Sequence, residues 1–156
     1  MKNKNIEGEK LIANNRKAHF NYFLSDFQEA GIELVGSEIK SLRLGHCSID
    51  ESYVILKNRE VFILNMNIPT YQENGVFQPS PTRTRKLLMH KKEIIELIYK
   101  VDRQGYTIIP TRVYIKRGKA KVQIALAKGK KNYDKREVIK EREEKINIQR
   151  KIKERY

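Results

Sequence analysis

The chain has 156 residues, enough for one domain with a tail but not for two, and 39% of them are hydrophobic, including eight Tyr and five Phe. That composition excludes wholesale disorder. No run nears the roughly 20 apolar residues of a membrane span, the stretch Met1–Lys10 lacks an apolar signal core, and the single Cys47 excludes an internal disulfide or a cysteine zinc cluster. A cytoplasmic setting is expected, with no membrane partner and no cofactor. Net charge is +14, from 33 Lys and Arg against 19 acids, which points to a polyanion. Between Asp102 and Asp134 nine bases occur with no acid, whereas an ordinary solvated surface mixes signs.

In chain order, residues 1–14, and on to about residue 19, read as an irregular basic lead-in. His19–Asp26 then reads as an aromatic-rich first strand and Ala30–Gly36 as a short second one. Ser37–Gly45 has the marks of a short helix, with Ser37 as its cap, Ile39 and Leu42 on one face, and Gly45 as its stop. Tyr53–Lys57 and Glu60–Asn65 flank Asn58-Arg59 as a hairpin, and Arg112–Lys116 and Lys119–Lys128 flank Arg117-Gly118 as another. The last strand alternates, Ala120, Val122, Ile124 and Leu126 facing one way. Between the hairpins, Met66–Lys86 carries three prolines and reads as a long loop. A helix follows from His90 to Arg103, with Ile94, Ile95, Leu97, Ile98 and Val101 as its apolar stripe. Six short strands with few helices predict a mainly β fold closed into a small barrel, which removes exposed edges.

From Lys128 onward the composition changes to 12 bases and 6 acids, with scattered aliphatics that form no continuous helical face. Glu141-Lys145 and Lys140-Glu144 give weak i, i+4 support. Residues 1–131 are therefore expected to form the folded domain. Residues 132–156 are expected to be a basic tail, disordered alone and helical on a polyanionic partner.

Enzymatic chemistry finds little purchase. His46 and Cys47 are adjacent, while a nucleophile and its base normally come from separate segments, and Cys47 reads as a small buried residue. No HExxH, phosphate loop or GxSxG occurs. No catalytic or metal-binding residue is assigned. Nucleic-acid binding has more support. Lys119, Lys121 and Lys128 line one strand, Arg83, Arg85 and Lys86 lie in the long loop, and Asn15-Arg16-Lys17 precede Phe20 and Tyr22, which stand two apart. Phosphates need cations and unpaired bases need flat surfaces, and barrels of the oligonucleotide-binding type supply both.

Asn15-Arg16-Lys17-Ala18, Glu29-Ala30-Gly31-Ile32, Glu38–Gly45, Arg83–Leu88 and Leu126–Arg136 occur in that order. In series they resemble the small protein B family, the SsrA-binding proteins of bacterial trans-translation. The resemblance implies an oligonucleotide-binding-type barrel and an adaptor for transfer-messenger RNA, gripping its tRNA-like domain and delivering it to stalled ribosomes. Elongation factor Tu would be an indirect partner through the charged RNA. The family's RNA-facing positions fall here on Asn15, Arg16, Lys17, Tyr22, Glu29, Arg43, Leu88, His90 and Lys121, with the basic run Lys128, Lys130 and Lys131. Glu29, an acid among phosphates, would accept from base or ribose donors or anchor a neighbouring base. The tail would enter the empty messenger channel and the small-subunit decoding region through Tyr133, Asp134, Lys135, Arg136, Lys140 and Arg142. One departure is Phe20-Asn21-Tyr22, where family members read His-Asp-Tyr. Composition alone fits a generic basic ribosomal or assembly protein equally well.

Overall fold

The computed structural model describes residues 8–70, 79–130 and 132–155. Among the described residues, seven strands and four helices follow one another as β1 (Glu9–Asn14), α1 (Arg16–Asn21), β2 (Tyr22–Ile32), α2 (Gly36–Arg43), β3 (Tyr53–Lys57), β4 (Glu60–Leu64), β5 (Arg85–Leu88), α3 (Lys91–Gln104), β6 (Thr107–Lys116), β7 (Lys119–Gly129) and α4 (Asn132–Arg155). The strands form one antiparallel sheet in the order β1-β6-β3-β4-β5-β2-β7, and a further β6–β7 pairing closes strands β2 to β7 into a ring. Long ladders join β7 to both β2 and β6. The seam between β3 and β6 is the single pair Val54 and Ile108.

Local chemistry explains the best-read elements. Asn58 and Arg59 both take positive φ, 52° and 59°, as do Arg117 and Gly118 at 52° and 75°, which matches each turn to the twist of its strands. Gly105 ends α3 in the left-handed conformation, φ 70°. The core is filled by inward residues of the ring, among them Val61, Ile63, Leu87, Val113, Val122, Ile124 and Leu126, joined by Leu42 of α2 and Leu97 of α3.

Several sequence expectations are corrected. The lead-in is not irregular throughout, because Glu9–Asn14 pairs with Asn14 opposite Arg112 and Glu9 opposite Lys116. Of the strand expected at His19–Asp26 the first three residues are instead the end of α1, because Asn15 caps that helix: its Oδ1 accepts from the Ala18 N–H at 3.1 Å. The two short strands expected before residue 36 are one strand, β2, bent by a bulge between Ser25 and Gln28 where Asp26 has φ 49°. The ring still has six members, since β5, expected as loop, supplies the sixth. α2 is capped through Glu38, whose Oε1 accepts from the Val35 N–H at 3.0 Å, rather than through Ser37. Ile95 leaves the apolar stripe of α3 and is 60% exposed. The alternation of β7 holds to Ile124. Beyond it Ala125 and Ala127 are buried as well, Ala127 within a small second cluster with Ala18 and Ile109.

Candidate nucleic-acid interface

β2 and β7 run side by side and carry candidate residues at both ends. At one end, Gly31 and Tyr114 both stand opposite Lys121. The Glu29 carboxylate there accepts a hydrogen bond from the Tyr114 hydroxyl, and Lys116 and Lys121 ammonium groups approach it at 3.5 and 4.0 Å. The Tyr114 hydrogen bond leads, against the opposing cost of burial, in holding the Glu29 carboxyl below the usual carboxylate range, and the two lysines add to it. Burial, followed by that same carboxylate, pushes the Tyr114 phenol well above its ordinary value. Arg112 lies over the Tyr114 ring, 5.0 Å from its centre, and donates to Gln123 Oε1 at 3.2 Å. Glu29 is thus an organiser: one anion gathers two cations from neighbouring strands and leaves both partly exposed. Half-exposed Leu88 sits beside them across β2, where a Cβ on Gly31 would come within 3.2 Å of Leu88 Cβ. That close approach favours glycine.

At the other end, Tyr22 stands opposite Gly129 and Phe23 opposite Lys128. Tyr22 is partly buried against the small cluster under α1. Exposed Arg16 and Lys17 project from α1, Lys17 pairing with Glu51 at 2.9 Å. The Lys130 N–H donates to Asn21 O at 2.8 Å and its ammonium to His19 O at 3.2 Å, which ties the exit of β7 to α1.

Other candidates stand apart from both groups. Arg43, exposed, ends α2 and lends its carbonyl to Lys10 Nζ at 2.8 Å. His90, exposed, is the N-cap residue of α3. Asn15 is 1% exposed, its side-chain amide donating to Pro110 O and Ile49 O while its oxygen caps α1. Phe20 is half-buried. Arg85 is misread as a loop cation: it is fully buried and donates to Glu38 Oε2 at 2.6 Å and Met66 O at 2.7 Å. Arg83 holds the other Glu38 oxygen at 2.6 Å. Burial would raise the Glu38 carboxyl, but hydrogen bonds from Arg83, the Val35 N–H and Arg85 outweigh it and hold it low. Cys47 is partly buried and its thiol is pushed up to about 12 by desolvation, so it stays protonated at neutral pH.

α4 spans 24 residues, on the order of 36 Å at 1.5 Å per residue. Arg136, Lys140 and Arg142 are exposed along it, as are Ile139, Ile146 and Ile148. Tyr133, Asp134 and Lys135 belong to its first turns; their side chains, and all of Lys131, lie outside the described residues. No helix among the described residues is long and apolar enough to cross a membrane.

Sequence reasoning missed Tyr114 and Lys116 as partners of Glu29. The only local signal was their place on the strand preceding Arg117-Gly118, since the contact spans 85 residues.

Known proteins are similar to the chain along nearly its whole length. The SsrA-binding protein of Caldicellulosiruptor bescii is 50% identical over 155 residues, covering 99% of this chain and 98% of its own. That of Clostridium kluyveri is 48% identical over 156 residues, covering 100% and 99%. A chain in a solved structure described as "tmRNA-SmpB: a journey to the center of the bacterial ribosome" is 39% identical, with a TM-score of 0.64 over 76% of this chain and 84% of that one. The SmpB protein family model matches residues 12–154, ring and tail together, and the chain belongs to that family.

Proposed function

We propose that the chain is a non-enzymatic adaptor that binds the tRNA-like domain of transfer-messenger RNA and brings it to stalled ribosomes for trans-translation. The observation that carries this is the near end-to-end likeness to proteins named for SsrA binding. The ring, closed through β6 and β7, supports an oligonucleotide-binding-type barrel as the RNA-holding body, residues 1–131. Lys121 with Lys116, organised by Glu29, and the exposed Arg16, Lys17, Arg43, His90 and Leu88 are the groups that would meet that RNA. Lys128 and Lys130 would add phosphate contacts at the far end. No catalytic step is needed for this role. Elongation factor Tu would join through the aminoacylated RNA.

The tail, residues 132–156, would probe the messenger channel. Its cations would meet ribosomal RNA phosphates, and a channel holding message would exclude it, so stalled ribosomes are selected without reading sequence. Its isoleucines give the ring no continuous apolar face to bury, so its helix would gain stability from the channel.

The test is the RNA retained when the chain is purified from its host. A single transfer-messenger species is expected. A mixture of ribosomal RNA fragments would favour a general ribosomal protein instead.

A further inference from the structure

The ring is least complete between β3 and β6, whose ladder is the single pair Val54 and Ile108. A cavity of about 720 Å³ opens at this seam, lined by residues 53–56 of β3, 107–109 of β6, the end of α3 with Tyr106, and α1. That size lies within the roughly 300–1,000 Å³ of small-molecule sites. Ala18, Ile55, Val101 and Ile108 give it an aliphatic wall.

Its charge runs against that of the chain. The chain as a whole carries +14, yet the charged lining residues are three acids, Asp50, Glu51 and Asp102, and one base, Lys17. Lys17 pairs with Glu51 at 2.9 Å, and its ammonium also feels Asp50. Asp50 and Asp102 are exposed, and neither carboxylate forms an ion pair or a hydrogen bond among the described residues. Three tyrosines share the wall. Tyr22 packs against the small cluster under α1, and Tyr106 carries the Lys128 ammonium 4.5 Å from its ring centre. Tyr53 is 41% exposed and belongs to neither apolar cluster, so its ring is the one with a face to offer.

We propose that this cavity binds a small organic cation, a protonated amine on an aromatic or aliphatic body. The body lies on Tyr53 and the aliphatic wall, and the ammonium meets the Asp50 and Asp102 carboxylates. Apolar walls bury the body, carboxylates give the ammonium charge-assisted hydrogen bonds, and the tyrosine face attracts a cation. The same carboxylates repel phosphates, so a nucleic acid is not the occupant. A cavity of this volume encloses a small molecule, whereas a stable protein partner needs about 800 Å² of surface a side. None of the Glu29 group lines the cavity, and the site stands independently of the adaptor reading.

Three indoles of nearly one shape test it on the full chain without RNA. Tryptamine carries an ammonium, tryptophol a neutral hydroxyl and indole-3-propionate a carboxylate. Followed by backbone-amide NMR shifts, tryptamine should move the signals of Tyr53, Ile55, Asp102 and Thr107 and bind about tenfold more tightly than tryptophol. Indole-3-propionate should bind least. Asp50→Asn with Asp102→Asn should bring tryptamine down to the tryptophol level, and Tyr53→Ala should weaken both several-fold, with thermal unfolding unaltered. Equal binding of the three indoles, or no shifts at the cavity, overturns the assignment. Shifts scattered over exposed acids elsewhere would make tryptamine a surface counter-ion and overturn it too. Binding of an arginine-rich peptide at the cavity, with none of tryptamine, would give the site to a protein partner and equally overturns it. The comparison of the three indoles needs no variant, so it decides the matter whatever a substitution does to the fold.

Discussion

The ring and the helix that leaves it place their charges in opposite ways. In the ring, ionic groups are held by many strands at once: Glu38 by two arginines from the β5 region, Glu29 by a tyrosine and two lysines of the final hairpin. Along α4, Arg136, Lys140 and Arg142 stand exposed beside exposed isoleucines. The lesson concerns what each part can do without a partner. A carboxylate held by a tyrosine and two lysines keeps those cations at set positions in the ring without a partner. Among the described side chains of α4 none is buried, and an isolated helix without a packed face is marginal.

The sharpest break in the comparison is deletion. Ending the chain after Arg136 should abolish tagging of stalled nascent chains while a gel-shift with transfer-messenger RNA stays near the parent value. Surviving tagging would end the division between body and tail. Next in size, Arg85→Ala leaves Glu38 buried beside one remaining arginine and should cost about 3–5 kcal/mol of stability by denaturant unfolding. Exposed Arg142→Ala should change it by no more than about 0.5 kcal/mol. Because folding lowers the Glu38 pKa, its contribution is present above the unfolded value of about 4.3 and is lost as pH falls through the folded one. Acid titration of Glu38→Gln should therefore show a flatter loss of stability than the parent.

Ile139→Pro tests the tail more gently. It removes a backbone donor in a helix interior, at about 3 kcal/mol, and should reduce tagging severely without touching RNA affinity measured on the body. The smallest effect expected is at the organised end of β7. Lys121→Ala should lower the slope of log K against log salt by about one unit, the signature of a single phosphate contact. An unchanged slope would make Lys121 merely the companion of Glu29.

How much of this was legible in the chain depends on the range of the interaction. The hairpin turns Asn58-Arg59 and Arg117-Gly118 and the end of α3 at Gly105 are set within a few residues, and they read correctly. β5 did not, because a four-residue strand opening Arg85-Lys86 looks like solvated loop until Glu38, 47 positions earlier, neutralises the arginine. α1 failed for a related reason: its aromatic run suits a strand, and a single buried cap at Asn15, tied to Pro110 and Ile49, decides otherwise. The candidate site divided along the same line. Exposed lysines could be named from charge, whereas the tyrosine that sets Glu29 could only be found once β2 and β6 lay on the two sides of β7.

The ladders on both edges of β7 have a mechanical consequence. Two residues separate α4 from this strand, so a pull on the tail is passed first to β7. Partnered by β2 on one side and β6 on the other, the strand can slip only if both rows of hydrogen bonds shear together. The β3–β6 seam, with its single pair, lies elsewhere in the ring and is spared that first load. The tail is moored to the strand that carries the two longest ladders of the ring.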